Sequence, residues 1–267
     1  MIFKQFRHEP LFQASYLVGC SRAREGVVVD PIADLGADFY VLEAADQGLD
    51  LVGVLETHVH ADFVSCAREL AELAGAQHYL HEAAQRLVRY EFTSLADGQT
   101  VGVGQVDVQA IHTPGHTPEH TCFLVTDRGR SDEPWAVLTG DSLFVGDVGR
   151  PDLLVGDQAL DVFDESERAE LQFRSIREKL FTLPDHVEVF PNHYGGSTCG
   201  GVNMSGKASS TISFEKRFNM ALAQPDAVAF ASFVSETAKP FPENYEWIKS
   251  YNLGLLTKAE LEGAMHA

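Results

Sequence analysis

The heptapeptide Thr57-His58-Val59-His60-Ala61-Asp62-Phe63 decides how this chain is read. It follows an apolar run at 51–56 that reads as a strand, and it leads into a stretch at 63–74 that reads as a helix. In that helix Cys66, Leu70 and Leu73 recur on one face, and Gly75 supplies the stop. Two imidazoles and a carboxylate at alternate positions of a strand-to-helix loop can converge on one point. They are ligands that zinc, iron and manganese accept. The rival reading is two solvated or capping histidines, with Asp62 as a helix N-cap.

Three more junctions shift the balance. His112-Thr113-Pro114-Gly115-His116-Thr117-Pro118-Glu119-His120 joins predicted strands at 106–111 and 121–125. Thr139-Gly140-Asp141-Ser142-Leu143-Phe144 puts an aspartate just past a strand at 135–138, and Pro191-Asn192-His193 follows one at 187–190. Layered α/β proteins place ligands at strand ends. Four such junctions, each offering His or Asp, point to one shared metal site.

Outward from these motifs, strand and helix signals alternate. Strands are predicted at 14–18 and 26–30, the second with the buried run Val27-Val28-Val29. A helix opening at Asp34 or Gly36 would turn Phe39, Leu42 and Ala45 inward. Residues 127–134 form a charged turn, and a helix at 165–181 would bury Phe173, Ile176 and Leu180. Residues 195–206 hold five glycines and read as a loop. From Ser209 the chain reads mainly as helices, with Pro225 in the first turn of one and Pro240 and Pro242 before the next. We expect one catalytic domain at 1–207 and a helical extension at 208–267 packed on it.

Composition narrows the function classes. The chain has 267 residues, with 39 acidic against 20 basic for a formal charge of −19. Hydrophobic residues make up 45% and charged residues 22%, enough apolar material for a large core. The acidity argues against a nucleic-acid or anionic-membrane partner, because phosphate neutralisation needs a basic surface. No apolar run approaches the roughly 20 residues of a spanning helix, and residues 1–10 lack a signal core. Cys20, Cys66, Cys122 and Cys199 form no C-x-x-C pair, so reduced thiols in the cytoplasm are the expectation.

The four motifs, in this order, resemble the metallo-β-lactamase superfamily over roughly residues 10–200. The resemblance implies a four-layer αββα sandwich with its metal site at the sheet edge. It assigns His58, His60, His116 and Asp141 to a first metal, and Asp62, position 63, Asp141 and His193 to a second. Phe63 departs from the pattern, since two-metal hydrolases carry histidine there. An oxygen-reducing di-iron branch needs glutamate where His60 stands, which disfavours it too.

The run Gly140-Asp141-Ser142-Leu143-Phe144-Val145-Gly146-Asp147-Val148-Gly149-Arg150-Pro151-Asp152 is similar to the persulfide dioxygenases, a branch related to glyoxalase II. So are Thr-Pro-Gly-His-Thr-Pro-Glu-His at 113–120 and Gly-Gly-Ser-Thr-Cys-Gly at 195–200. The likeness is greatest to bacterial forms often fused to rhodanese domains. It implies one Fe(II) held by His58, His116 and Asp141, with positions left for substrate and dioxygen. The substrate would be a low-molecular-weight thiol persulfide, glutathione persulfide first among them, and the products sulfite and thiol. His60, Asp62 and His193 would stand beside the metal, orienting waters or moving protons. The runner-up is a zinc-dependent thioester or lactone hydrolase; a non-catalytic sulfur-binding module is the third reading.

Arg150 is a candidate to grip a substrate carboxylate, or to brace the loop through Asp147 or Asp152. Cys199 either lies at the pocket mouth and exchanges sulfur, or is a small side chain in a tight loop. Cys20 reads as strand packing, and Cys66 and Cys122 as core. His120 supports the 113–120 turn and His112 ends a strand. His8, His78, His81, His186 and His266 read as surface or structural, and Phe230, Phe233, Phe241, Tyr245, Trp247 and Tyr251 as helix packing. The tail is too short for a rhodanese domain, so any sulfurtransferase is expected as a separate partner. A homodimer is expected from related enzymes.

Overall fold

A computed structural model describes residues 1–153 and 165–265. One sheet holds β1 (Ile2–His8), β2 (Gln13–Cys20), β3 (Glu25–Val29), β4 (Asp50–Leu55), β5 (Gln77–His81) and β6 (Thr93–Leu95) in chain order. The other holds β7 (Thr100–Val103), β8 (Val106–His112), β9 (Thr121–Asp127), β10 (Ala136–Gly140), β11 (Glu188–Pro191) and β12 (Ser210–Thr211), also in chain order across the sheet. β3 to β6 run parallel, as do β10 and β11; the remaining neighbours are antiparallel. Both sheets are therefore mixed.

The period of two explains the layers. Val27 and Val29 point into the core between the sheets, with Tyr16, Val18, Phe123, Val125, Ala136 and Leu138. Val28 points the other way, onto α1 (Ala37–Asp46) and α2 (Ala67–Ala74). Leu124 and Val137 face α3 (Glu165–Glu178) on the far side. Sheets covered on both faces need unbroken apolar runs rather than alternation, which is what Val27-Val28-Val29 supplies. Each fully buried Val or Leu contributes roughly 1.5–3 kcal/mol.

The tail adds α4 (Ile212–Phe218), α5 (Ala227–Thr237), α6 (Tyr245–Asn252) and α7 (Lys258–Met265). Phe230 and Val234 of α5 extend the α3 layer. Among the described residues, no helix is long and apolar enough to cross a membrane.

Several local expectations need correction. The helix predicted at 63–74 starts at Ala67, and Ala67, Leu70 and Ala71 face the sheet while Leu73 is 52% exposed. In α1 the inward residues are Ala37, Tyr40 and Ala44, and Leu42 is 64% exposed. Tyr40 takes that face because its hydroxyl has buried partners, Ser15 Oγ at 2.8 Å and the Ile32 amide at 2.9 Å. Pro225 lies outside α5, ahead of its N-cap Asp226, which accepts from the Ala229 amide. The 165–181 helix ends at Glu178 and gives way to a 3-10 turn at Leu180–Thr182. His266 falls outside the described residues.

Candidate metal centre

The carboxyl ends of β4, β10 and β11 and the β8–β9 connection meet at one edge, and each delivers its motif there. Asp30, just past β3, organises the first loop. It is fully buried and accepts from the Thr57 amide (2.7 Å), the Thr57 hydroxyl (2.9 Å), Asn192 Nδ2 (2.6 Å) and His60 Nε2 (3.0 Å). Because the Thr57 hydroxyl donates to Asp30, its lone pair accepts from His58 Nδ1 at 3.0 Å. His58 therefore carries its proton on Nδ1 and presents a bare Nε2.

His116 arrives by a different route to the same state. Its Nδ1 donates to the Arg150 carbonyl at 2.5 Å, which leaves Nε2 bare as well. Burial holds both histidines neutral, His58 well below the ordinary imidazole range and His116 down to about 3. Asp141 completes the set: one ligand atom each from His58, His116 and Asp141 lie within 4.8 Å of one another. Both Asp141 carboxylate oxygens are buried without a hydrogen-bond partner. Burial, with Asp62 and Asp30 adding to it, pushes the Asp141 carboxyl well up. Two bare imidazole nitrogens and a carboxylate without a hydrogen bond form a donor set that a divalent cation satisfies.

Asp141 is held by a residue whose role the sequence left general. His120 Nε2 accepts the Asp141 amide at 3.0 Å, and its Nδ1 shares a proton with the Thr113 hydroxyl at 2.8 Å. That close approach requires Gly140. It sits at φ +52°, and a Cβ there would lie 2.6 Å from His120 Nε2 and 2.8 Å from Thr57 Cβ. Gly140→Ala is expected to lower the thermal midpoint and to weaken metal binding by at least about tenfold, as disturbed outer partners of metal ligands do. Titration with a colorimetric metal competitor checks this; unchanged affinity would show that the loop tolerates the shift.

A second cluster adjoins the first. Asp62, His193 and Cys199 bring one ligand atom each within 4.8 Å. His193 Nδ1 donates to the Phe12 carbonyl (3.2 Å), and its Nε2 lies 3.1 Å from Asp62 and 3.5 Å from Asp141. Burial disfavours the His193 charge, but Asp141 and Asp62 outweigh it and raise its pKa. Burial likewise opposes the charge on Asp62, and His193 overrides it and lowers the pKa. In this state the pair is imidazolium and carboxylate. His60 has its Nδ1 buried without a partner, and its ring lies 4.2 Å from Phe63. Phe63 thus packs against the site without offering a ligand atom.

The two candidates for substrate contact are deeply placed. Arg150 grips Asp152 with two bonds (2.5 and 2.8 Å) and gives its remaining nitrogen to the carbonyls of Thr198, Lys239 and Pro240. Phe241 stacks on its guanidinium at 4.4 Å. Cys199 is buried among Ala61, Phe144, Leu153 and Met204, and burial holds its thiol well above the usual range. All four cysteines are free. Cys20 lies at the end of β2 away from the site, against the Gln105 amide. His78 pairs with Glu56 at 2.7 Å, away from the metal cluster.

Other contacts were not visible in the sequence. Glu119 accepts the Val59 amide at 2.9 Å and ties the 113–120 turn to the His58 loop. Gln172 of α3 donates to the Ser142 and Gly149 carbonyls (3.2 and 2.9 Å), bracing the Asp141 loop. Asn252 of α6 donates to the carbonyls of His60 and Phe63 (2.9 and 2.8 Å) and accepts from the Ser65 amide. The helical tail therefore clamps the loop that carries His58.

A human protein named persulfide dioxygenase ETHE1, mitochondrial, is 27% identical over 236 residues, covering 81% of this chain and 80% of that one. The crystal structure of ETHE1 from Myxococcus xanthus superposes with a TM-score of 0.77 at 27% identity, covering 95% of this chain and 99% of that one. A metallo-beta-lactamase from Staphylococcus aureus superposes with a TM-score of 0.83 at 33% identity, covering 94% of this chain and 72% of that one. Relatives named as probable hydrolases match at 28% to 29% identity. The sequence pattern of the superfamily itself spans residues 8–193, from β1 to the histidine that follows β11. On that match, and on the paired mixed sheets with helices outside, this chain belongs to the metallo-beta-lactamase superfamily.

Proposed function

We propose that the chain is a persulfide dioxygenase holding one Fe(II) through His58, His116 and Asp141. The carrying observation is the donor set itself: two imidazoles with bare Nε2 atoms and one carboxylate without a hydrogen bond, with Phe63 where a further ligand would stand. The named ETHE1 relatives support the same reading. The reaction balances as RSSH + O2 + H2O → RSH + SO3²⁻ + 2 H⁺, with glutathione persulfide the first substrate to try. The outer sulfur gives four electrons to dioxygen and one to the inner sulfur as the S–S bond breaks.

Fe(II), when bound, would supply electrons to dioxygen and adjacent open positions for both reactants. The chain's own groups do the rest. Thr57 and the Arg150 carbonyl fix the two histidine tautomers. His193 stands charged beside Asp62 and Asp141, placed to give a proton to the departing thiol sulfur. Tyr245 and Phe144, packed with Leu153 and Cys199, shield the site from bulk water. The free thiols suit a reducing compartment such as the cytoplasm.

The test is oxygen uptake, with sulfite quantified, by Fe(II)-loaded protein given glutathione persulfide. Uptake matched one-to-one by sulfite, and absent from a His58→Ala control, is expected; wild-type protein no faster than that control overturns the reading. One observation favours a second reading, a zinc-dependent thioester or lactone hydrolase. Asp62, His193 and Cys199 converge as a second ligand group. Two zincs per chain with rapid thioester hydrolysis would select it over the first.

A further inference from the structure

Lys249 is fully buried on α6, in the tail beyond the superfamily match. Removing an ammonium from water costs several kcal/mol unless it is paired. Among the described residues its Nζ makes one hydrogen bond, to the Leu153 carbonyl at 3.0 Å, and no ion pair within 4.0 Å. An ammonium has three donors, so among the described residues two N–H groups find no acceptor.

Its helix lies against the metal loops. Asn252, one turn further on the same face, bonds the carbonyls of His60 and Phe63. Tyr245, one turn earlier, packs with Phe144, Leu153 and Cys199. Lys249 sits between these anchors, and its charge helps hold His58 and His116 neutral. Burial pulls its own pKa down, while Glu119, Cys199, Asp62 and Asp141 resist the fall. Of the site's other deep cations, Arg150 is engaged with Asp152 and three carbonyls, and His193 with the Phe12 carbonyl and Asp62. Among the described, fully buried cations of the site, Lys249 has donors to spare.

A persulfide anion carries one charge, and each oxygen added to its outer sulfur is a hydrogen-bond acceptor. The sulfite product carries two charges. We propose that Lys249 is the anion-binding group of this site and holds the sulfur–oxygen group of the oxidised substrate and of sulfite beside the metal centre. This rests on the persulfide dioxygenase reading. A purely structural lysine would only tether Leu153.

The experiment compares metal-loaded wild type with Lys249→Met, using sulfite as the probe. Methionine fills a similar volume and buries no charge, so the variant should fold, with the same metal content and a thermal midpoint no lower than wild type. Lys249→Gln is the second variant should the first misfold. Calorimetric titration is expected to show sulfite affinity reduced at least tenfold in both. In turnover, the sulfite inhibition constant and the KM for persulfide should rise together, with kcat changing less. Sulfite binding that is absent in wild type, or equal in wild type and variants, overturns the proposal. Equal binding with intact oxygen uptake leaves the dioxygenase reading standing. Lys249-dependent binding without uptake supports the anion site and overturns the dioxygenase reading.

Discussion

Asp141→Asn is expected to leave the protein essentially free of metal while leaving the metal-free fold intact or more stable. Disturbing the outer partners of a metal ligand typically costs about 10–100-fold in affinity, so losing an anionic ligand should cost more than about 100-fold. Fold stability moves the other way. Burial raises the Asp141 carboxyl above its ordinary value, and no hydrogen bond compensates either oxygen. At pH below about 4, the ordinary aspartate value, folded and unfolded chains both hold the proton. As pH rises past that value the unfolded chain releases it first. The folded, metal-free protein therefore loses stability with rising pH until the buried carboxyl ionises too. Asparagine removes that loss. Metal reverses the balance for wild type, because it holds the carboxylate ionised. The expected result is a metal-induced rise in thermal midpoint for wild type and none for the variant, checked by melts with and without Fe(II) under anaerobic conditions. A variant that still binds one metal per chain with wild-type affinity would remove Asp141 from the ligand set.

The part of this centre that was legible in the sequence is the part fixed by local geometry. His58, His116 and Asp141 each lie within a few residues of a strand end, and a strand end has a defined place at a sheet edge. Their convergence could therefore be read from spacing and from the superfamily resemblance. Asp30, Gln172, Asn252 and Lys249 were not legible, because each is a single polar residue with no neighbouring pattern, and the 112–120 motif that holds Glu119 does not reveal its bond to the Val59 amide. Their contacts form only when distant segments meet: Asn252 bonds the His60 carbonyl across 192 positions. The helix faces in α1 and α2 slipped for a related reason. Periodicity scored Leu42 and Leu73 as core by hydrophobicity, whereas Tyr40 and Ala67 face the sheet because a buried hydroxyl partner and the true helix start select them. The tail read correctly as helices, but nothing in its pattern announced that α6 closes over the metal loop.

Asp30→Ala should be among the most destabilising single changes in the chain, and it should weaken metal binding through a proton rather than through a contact. Asp30 accepts four hydrogen bonds and has no solvent exposure. Alanine strands the Thr57 amide and His60 Nε2 in the interior and leaves Asn192 Nδ2 only its longer bond to the Thr57 hydroxyl. Removing one partner from a buried charged network costs about 3–5 kcal/mol. A chain of this size shifts by roughly 2–4 °C per kcal/mol, so the midpoint should fall by on the order of 10 °C. The second effect runs through Thr57. Its hydroxyl now donates to Asp30 and so must accept from His58 Nδ1. Without Asp30 the hydroxyl is free to turn and donate to that nitrogen. His58 can then carry its proton on Nε2, the atom that faces the metal, and an N–H there cannot ligate. Metal affinity should drop by about 10–100-fold, the usual cost of losing an outer partner. Thr57→Val separates the two effects, because it removes the hydroxyl and leaves Asp30 its other three donors. It should reproduce much of the affinity loss with a smaller fall in midpoint. If Asp30→Ala melts within about 2 °C of wild type, or binds metal as tightly, Asp30 does not set the His58 tautomer as argued.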